Sequence, residues 1–253
     1  MSTITQNIIR NIFISLTCSA AVFAVGCADM EEDFYMDGTE KVIGGKLTKK
    51  HPAVVGLEYN GNIGCTGTLI TRRAILTAAH CITEASIPPN KVVFTKRKRV
   101  TKRINVISIA LHADYLQINR NDLAILHLAE DAPETPLRLY KKDVSRLINK
   151  TATIVGFGIS EYNDPNSTGV KNEVNLKVID SDEEFVYLES QKRRHQSSCY
   201  GDSGGPVLIK ESNKTFIAGV LRTGSTNDCN SDDISYYTRV DDEQRWIRQN
   251  QNP

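Results

Sequence analysis

Cys199-Tyr200-Gly201-Asp202-Ser203-Gly204-Gly205-Pro206 sets one serine and one aspartate among three glycines. Glycine reaches backbone conformations closed to other residues, so the plainest reading is a tight turn. The same turn also presents a hydroxyl. At neutral pH a serine hydroxyl is a poor nucleophile and needs a neighbouring base to take its proton. Leu76-Thr77-Ala78-Ala79-His80-Cys81 supplies an imidazole, whose ordinary pKa of about 6.5 suits that task. Asn121-Asp122-Leu123-Ala124-Ile125-Leu126 supplies a carboxylate on the edge of an apolar run. A buried carboxylate fixes the imidazole tautomer and stabilises its cationic form. Taken singly, each segment also has an ordinary reading: a structural histidine, a strand-end aspartate, a turn.

In the order His80, Asp122, Ser203 the three segments resemble the chymotrypsin/trypsin family of serine proteases, over nearly all of 42–253. The eight-residue serine segment is the most specific of the three. The resemblance implies an all-β fold of two six-stranded antiparallel β-barrels packed face to face, with a short C-terminal helix. It implies a serine endopeptidase in which Ser203 attacks, His80 is general base and then acid, and Asp122 orients His80. The backbone N–H groups of Gly201 and Ser203 form the oxyanion hole. Val42-Ile43-Gly44-Gly45 resembles the N-terminus created by cleavage after Lys41, and Asp202 is expected to pair with the freed Val42 amine. Val155-Gly156-Phe157-Gly158, Leu111-His112-Ala113-Asp114-Tyr115 and Trp246-Ile247 also resemble family segments. The family pattern pairs Cys65 with Cys81 and Cys199 with Cys229. No cofactor and no metal are implied.

The residues themselves point the same way. Twelve short apolar or alternating runs lie between 52 and 240, six before a gap near 132–150 and six after it, as in an all-β protein. The first barrel is expected over about 50–132 and the second over about 150–240, with a helix over about 241–251. Val144 to Lys150 has the pattern of one or two helical turns. Of 253 residues, 40% are hydrophobic and 24% charged, which excludes a disordered chain, a collagen and a multi-span membrane protein. A net charge of +1 gives no reason to expect nucleic-acid binding. The cysteines contain no Cys-x-x-Cys pair, which argues against zinc.

Residues 1–27 read as a signal peptide. Asn11 to Gly26 is too short for a membrane span but suits the apolar region of a secretory signal. Ala24-Val25-Gly26-Cys27 resembles the lipid-attachment box of bacterial lipoproteins, with lipidation at Cys27; ordinary signal cleavage, for instance after Ala28, is the alternative. Residues 28–41 form an acidic pro-segment with six acids and one base. The body 42–253 keeps 29 of the 31 bases and 24 of the 30 acids. The expected product is extracytoplasmic, a monomer, and either secreted or anchored in a bacterial envelope through a lipid on Cys27. Its partners are protein or peptide substrates and an activating protease.

Three features depart from the family. Ser197, six residues before Ser203, occupies the base of the specificity pocket, with Gly224 and Ser235 at its walls. These imply a neutral, mid-sized pocket, unless Asp232 or Asp233 turns inward; both otherwise read as solvated loop acids. Arg222 stands where the family has a small hydroxyl residue touching the triad carboxylate. It either pairs with Asp122 or points away on a bulged strand. The run Lys96-Arg97-Lys98-Arg99, with Lys102 and Arg103, replaces the carboxylates of calcium-binding relatives and suits either an anionic partner or plain solvation. Arg222 and this run keep open an alternative function, a catalytically weak or inactive protease-fold binding protein.

Overall fold

A computed structural model describes residues 45–160, 167–190, 196–226 and 234–252. The chain divides into a unit at Met1–Asp37, outside the described residues, and a unit at Gly38–Pro253. The signal, Cys27, the pro-segment, Lys41 and Val42 all lie outside the described residues, as do Cys229, Asp232 and Asp233.

The first barrel is built from β2 (Val54–Tyr59), β3 (Asn62–Thr71), β4 (Ala74–Thr77), β5 (Lys91–Lys96), β6 (Arg99–Leu111) and β7 (Ala124–Leu128). They close antiparallel in the order β2-β3-β4-β7-β6-β5. β-Branched and aliphatic residues make these runs extended, because their side chains pack well on a pleated surface. β4 (AILT) and β7 (AILHL) are buried on both faces, which explains why they read as continuous rather than alternating apolar runs. Val55, Leu57, Leu69, Ile75, Val92, Phe94 and Ile104 are among the residues of its core.

The second barrel is built from β9 (Thr151–Gly156), β10 (Asn172–Ser181), β11 (Phe185–Ser190), β12 (Pro206–Glu211), β13 (Lys214–Gly224) and β14 (Ser235–Arg239). Its order β10-β11-β14-β13-β12-β9 closes through a β9–β10 pairing. Successive strand residues face opposite sides. Ile154 and Val207 therefore enter the second core, while Val155 and Leu208 join the cluster that runs into the first barrel. This alternation packs one barrel against the other.

All twelve strand candidates are strands, with ends shifted by a few residues. Two very short strands went unread, β1 (Lys46–Leu47) against β10 and β8 (Arg138–Leu139) against β13. The turns expected at 144–150 are a 3₁₀ helix at Val144–Leu147. The C-terminal helix begins later than expected: α3 spans Gln244–Asn250, with Glu243 as its N-cap residue. His112 and His127 anchor α3 to the first barrel. His112 packs on Trp246 with ring centroids 4.8 Å apart. His127 bonds the Asn250 carbonyl at 2.8 Å. Two short helices, α1 (His80–Thr83) and α2 (Ala113–Ile118), carry or adjoin the site.

Candidate active site

His80 stands at the start of α1, immediately after the buried pair Ala78-Ala79 that follows β4. Asp122 sits just before β7 and is fully buried. A buried carboxylate must be satisfied by donors, and His80 provides two. Its backbone N–H bonds Asp122 Oδ1 at 2.9 Å, and its Nδ1 lies 2.6 Å from Asp122 Oδ2. With Nδ1–H donating to the carboxylate, Nε2 keeps its lone pair. Asp122, His80, Ser203 and Gly201 all line one cleft of about 860 Å³.

The serine segment is seated against the first barrel by Thr66, a buried β3 residue beside Cys65. The Thr66 N–H bonds the Ser203 carbonyl at 2.8 Å. Thr66 Oγ1 donates to the Gly201 carbonyl at 2.9 Å and accepts from the Phe157 N–H at 3.0 Å. Cys65 and Cys81 form a disulfide across 16 residues. Cys81 Sγ lies 3.9 Å from His80 Nε2 and 3.6 Å from the Ser203 carbonyl oxygen. His80 and the Ser203 backbone are thus brought to the same sulfur. No hydrogen bond joins Ser203 Oγ to His80 Nε2. The Cys65 and Cys81 sulfurs and a His80 nitrogen lie within 4.8 Å of one another. Their disulfide leaves no thiolate to hold a metal.

Gly201 has φ +94° and Gly204 φ +79°, which favours glycine at both positions. A β-carbon on Gly204 would also overlap Thr77 Oγ1 and the Thr66 carbonyl. The Gly201 and Ser203 N–H groups have no acceptor among the described residues. Asp202 points away from the cleft into a fully buried site. It accepts from the Gly158 N–H at 2.8 Å and the Cys199 N–H at 2.9 Å. No cation faces it among the described residues. Burial pushes its pKa up to about 6, against the two hydrogen bonds that lower it.

Of the expected pocket residues, Gly224 pairs with Ser235 across β13 and β14, and Ser235 bonds Ser198 at 2.8 Å. Ser197 and Ser235 are buried, and none of Ser197, Gly224 and Ser235 lines the cleft described above. Cys199 is disulfide-bonded, with its partner outside the described residues.

Arg222 does line the cleft, but it does not bond Asp122. The β13–β14 register slips between Leu221 and Thr223, and the side chain at this bulge turns toward Glu184 and Asn119. Thr66, Asn119 and Glu184 were not singled out from sequence. Only Asn119 carried a signal, since asparagine suits the left-handed residue that ends a helix, here α2.

A family model described as Trypsin matches residues 42–247. The chain belongs to the trypsin family. Among curated relatives of this family, serine protease Hayan of Drosophila melanogaster is 27% identical over 227 residues, covering 75% of this chain and 35% of its own length. The chain thus spans about a third of that relative. A venom serine protease of Polistes dominula is 28% identical over 219 residues, covering 75% of this chain and 78% of its own. The trypsin-family match takes in β1 to β14, the His80–Asp122 pair and Ser203.

Proposed function

We propose that the chain is a serine endopeptidase that cleaves peptide bonds through an acyl-enzyme on Ser203. The single observation that carries this is the 2.6 Å His80 Nδ1–Asp122 Oδ2 contact, in a cleft that also holds Ser203, within a trypsin-family domain. Ser203 Oγ adds to the scissile carbonyl while His80 Nε2 takes its proton. His80 then returns that proton to the leaving amine, and water repeats the sequence to release the acid. Asp122 stabilises the imidazolium. The N–H groups of Gly201 and Ser203 receive the developing oxyanion, one such donor typically supplying about 3 kcal/mol.

The uncleaved chain is a zymogen on this reading. Cleavage after Lys41 frees the Val42 amine, which pairs with Asp202. A buried carboxylate without a cation is costly, and pairing removes that cost. The same step aligns the oxyanion donors and opens the neutral pocket at Ser197, Gly224 and Ser235. Such a pocket takes apolar or aromatic side chains, so a different protease cleaves after Lys41. Ile87 and Tyr200, both exposed on the cleft, suit apolar substrate residues.

The disulfides at Cys65–Cys81 and Cys199 support a location for the protein outside the cytoplasm. It is released from its signal or held by a lipid on Cys27 until cleavage after Lys41, and it acts as a monomer. The β5–β6 hairpin exposes Lys96, Arg97, Lys98 and Arg99 with no ion pair among the described residues, while Lys102 and Arg103 pair with Glu130 and Glu58. Those four cations suit an anionic protein partner.

The missing Ser203–His80 hydrogen bond favours a second reading, a catalytically weak or inactive binding protein. Catalytic hydrogen bonds often tighten only with substrate, and the uncleaved state accounts for a loose one. A peptide library offered to the chain cleaved after Lys41 separates the two. Cleavage that is lost in both Ser203→Ala and His80→Ala supports the endopeptidase. No cleavage of any peptide by the wild type supports the binding protein.

A further inference from the structure

We infer that Glu184 and Arg222 are positioning residues for the His80–Asp122 pair, acting across the seam between the barrels. The inference rests on the catalytic reading above. Asp122 follows directly on the segment 119–121, whose geometry is unusual. Asn119 has φ 56° and Asn121 has φ 54°. Two left-handed non-glycine residues in three positions persist only where their surroundings over-determine them.

Those surroundings come from the other barrel. Glu184, in the turn between β10 and β11, accepts the Asn121 N–H at 3.2 Å, and its other oxygen lies 3.3 Å from Arg120 Nε. Arg222 donates to the Asn119 carbonyl at 3.1 Å and to Asn119 Oδ1 at 3.0 Å. The two clamp residues are joined by a 3.0 Å ion pair. The Arg222 guanidinium also lies over the Phe185 ring, 5.6 Å from its centroid. Both side chains are largely buried, at 14% and 19% exposed, so the pair is shielded from solvent and salt more than a surface pair would be.

The bulge that carries Arg222 away from Asp122 thereby gives it a different use. Among the described residues no side chain of β13 hydrogen-bonds the carboxylate, whose bonds come from His80. Instead, the backbone immediately preceding it is held from the second barrel. Asp122 and His80 belong to the first barrel and Ser203 to the second. A clamp on residues 119–121 therefore limits how far the imidazole drifts relative to the hydroxyl. An arginine suits this task, because its planar fork reaches a backbone carbonyl, a side-chain amide and a carboxylate together.

The test uses the full chain cleaved after Lys41, with Arg222→Met, Arg222→Lys and Glu184→Gln. Turnover of a cleaved peptide should show kcat lowered about tenfold in Arg222→Met with KM changed less than about twofold, since transition-state alignment is lost rather than substrate binding. Arg222→Lys should recover part of kcat. Independently of turnover, the His80 Nδ1–H proton resonance, recorded in a Ser203→Ala background, should shift or broaden in Arg222→Met and in Glu184→Gln. A merely structural pair would lower melting temperature without moving that resonance. Unchanged resonances in both folded variants overturn the clamp, as does kcat within about twofold of wild type. If the wild type turns over no peptide, the endopeptidase reading fails, while the resonance still decides whether the clamp holds the pair.

Discussion

Asp202 Oδ1 accepts the Gly158 N–H at 2.8 Å in a site so close that a β-carbon on Gly158 would lie 2.6 Å from Asp202 Cγ. The carboxylate is fully buried, its donors among the described residues are backbone N–H groups, and burial raises its pKa from 3.8 to about 6. The folded, uncleaved chain therefore holds this proton more tightly than the unfolded chain does. Its contribution to stability is full below about pH 4 and is lost as pH rises through about 6, an effect of about 3 kcal/mol. Urea midpoints of the uncleaved chain between pH 4 and 7 should show this slope relative to Asp202→Asn. In the cleaved chain, pairing with the Val42 amine should abolish it.

Lys171 makes the opposite case. It is fully buried over the Phe157 ring, and its Nζ donates to the carbonyls of His51, Val54 and Thr95. Burial lowers its pKa from 10.5 to about 8. Between those values the unfolded chain binds more protons, so stability should rise with pH across about 8 to 10.5, by about 3 kcal/mol. Comparing unfolding free energies of wild type and Lys171→Met over that window isolates the contribution, since the variant lacks the rise.

Thr66→Val keeps the side-chain shape but removes the hydroxyl shared by Gly201 and Phe157. The buried Phe157 N–H loses its partner, at about 1–3 kcal/mol, and the partly buried Gly201 carbonyl loses one at a smaller cost. Thermal unfolding should show the loss. The variant should also lose activity beyond its loss of stability, measured well below its melting temperature, because the carbonyl of Gly201 is no longer held.

Much of this was legible because the chemistry is local. The glycines around Ser203 and the apolar runs of β4 and β7 carry their structure in a few adjacent residues. The site's supports were not legible, since they depend on pairings between distant segments. Nothing near Thr66 in sequence announces that it bonds Gly201, 135 residues away. Arg222 was visible as a departure, but its direction turned on a register slip that follows from the pairing of β13 with β14. The C-terminal helix starts later than its acidic lead-in suggested, because Asp241 is drawn into bonds with Arg239 and the Val144 N–H.

Asp122→Asn should leave the fold intact and lower kcat about 10⁴-fold, because the carboxamide holds the wrong imidazole tautomer. Peptide turnover beside a far-ultraviolet circular dichroism spectrum checks both halves. A variant retaining wild-type kcat would remove Asp122 from the mechanism.

The central claim is that the Ser203 hydroxyl is the nucleophile, activated by His80. The most direct measurement is mass spectrometry of the cleaved chain after reaction with a fluorophosphonate. One adduct is expected, mapped to Ser203 and absent when His80 is replaced by alanine. Peptide cleavage by the wild type with no adduct at Ser203, or an adduct that forms at the same rate without His80, would contradict the account.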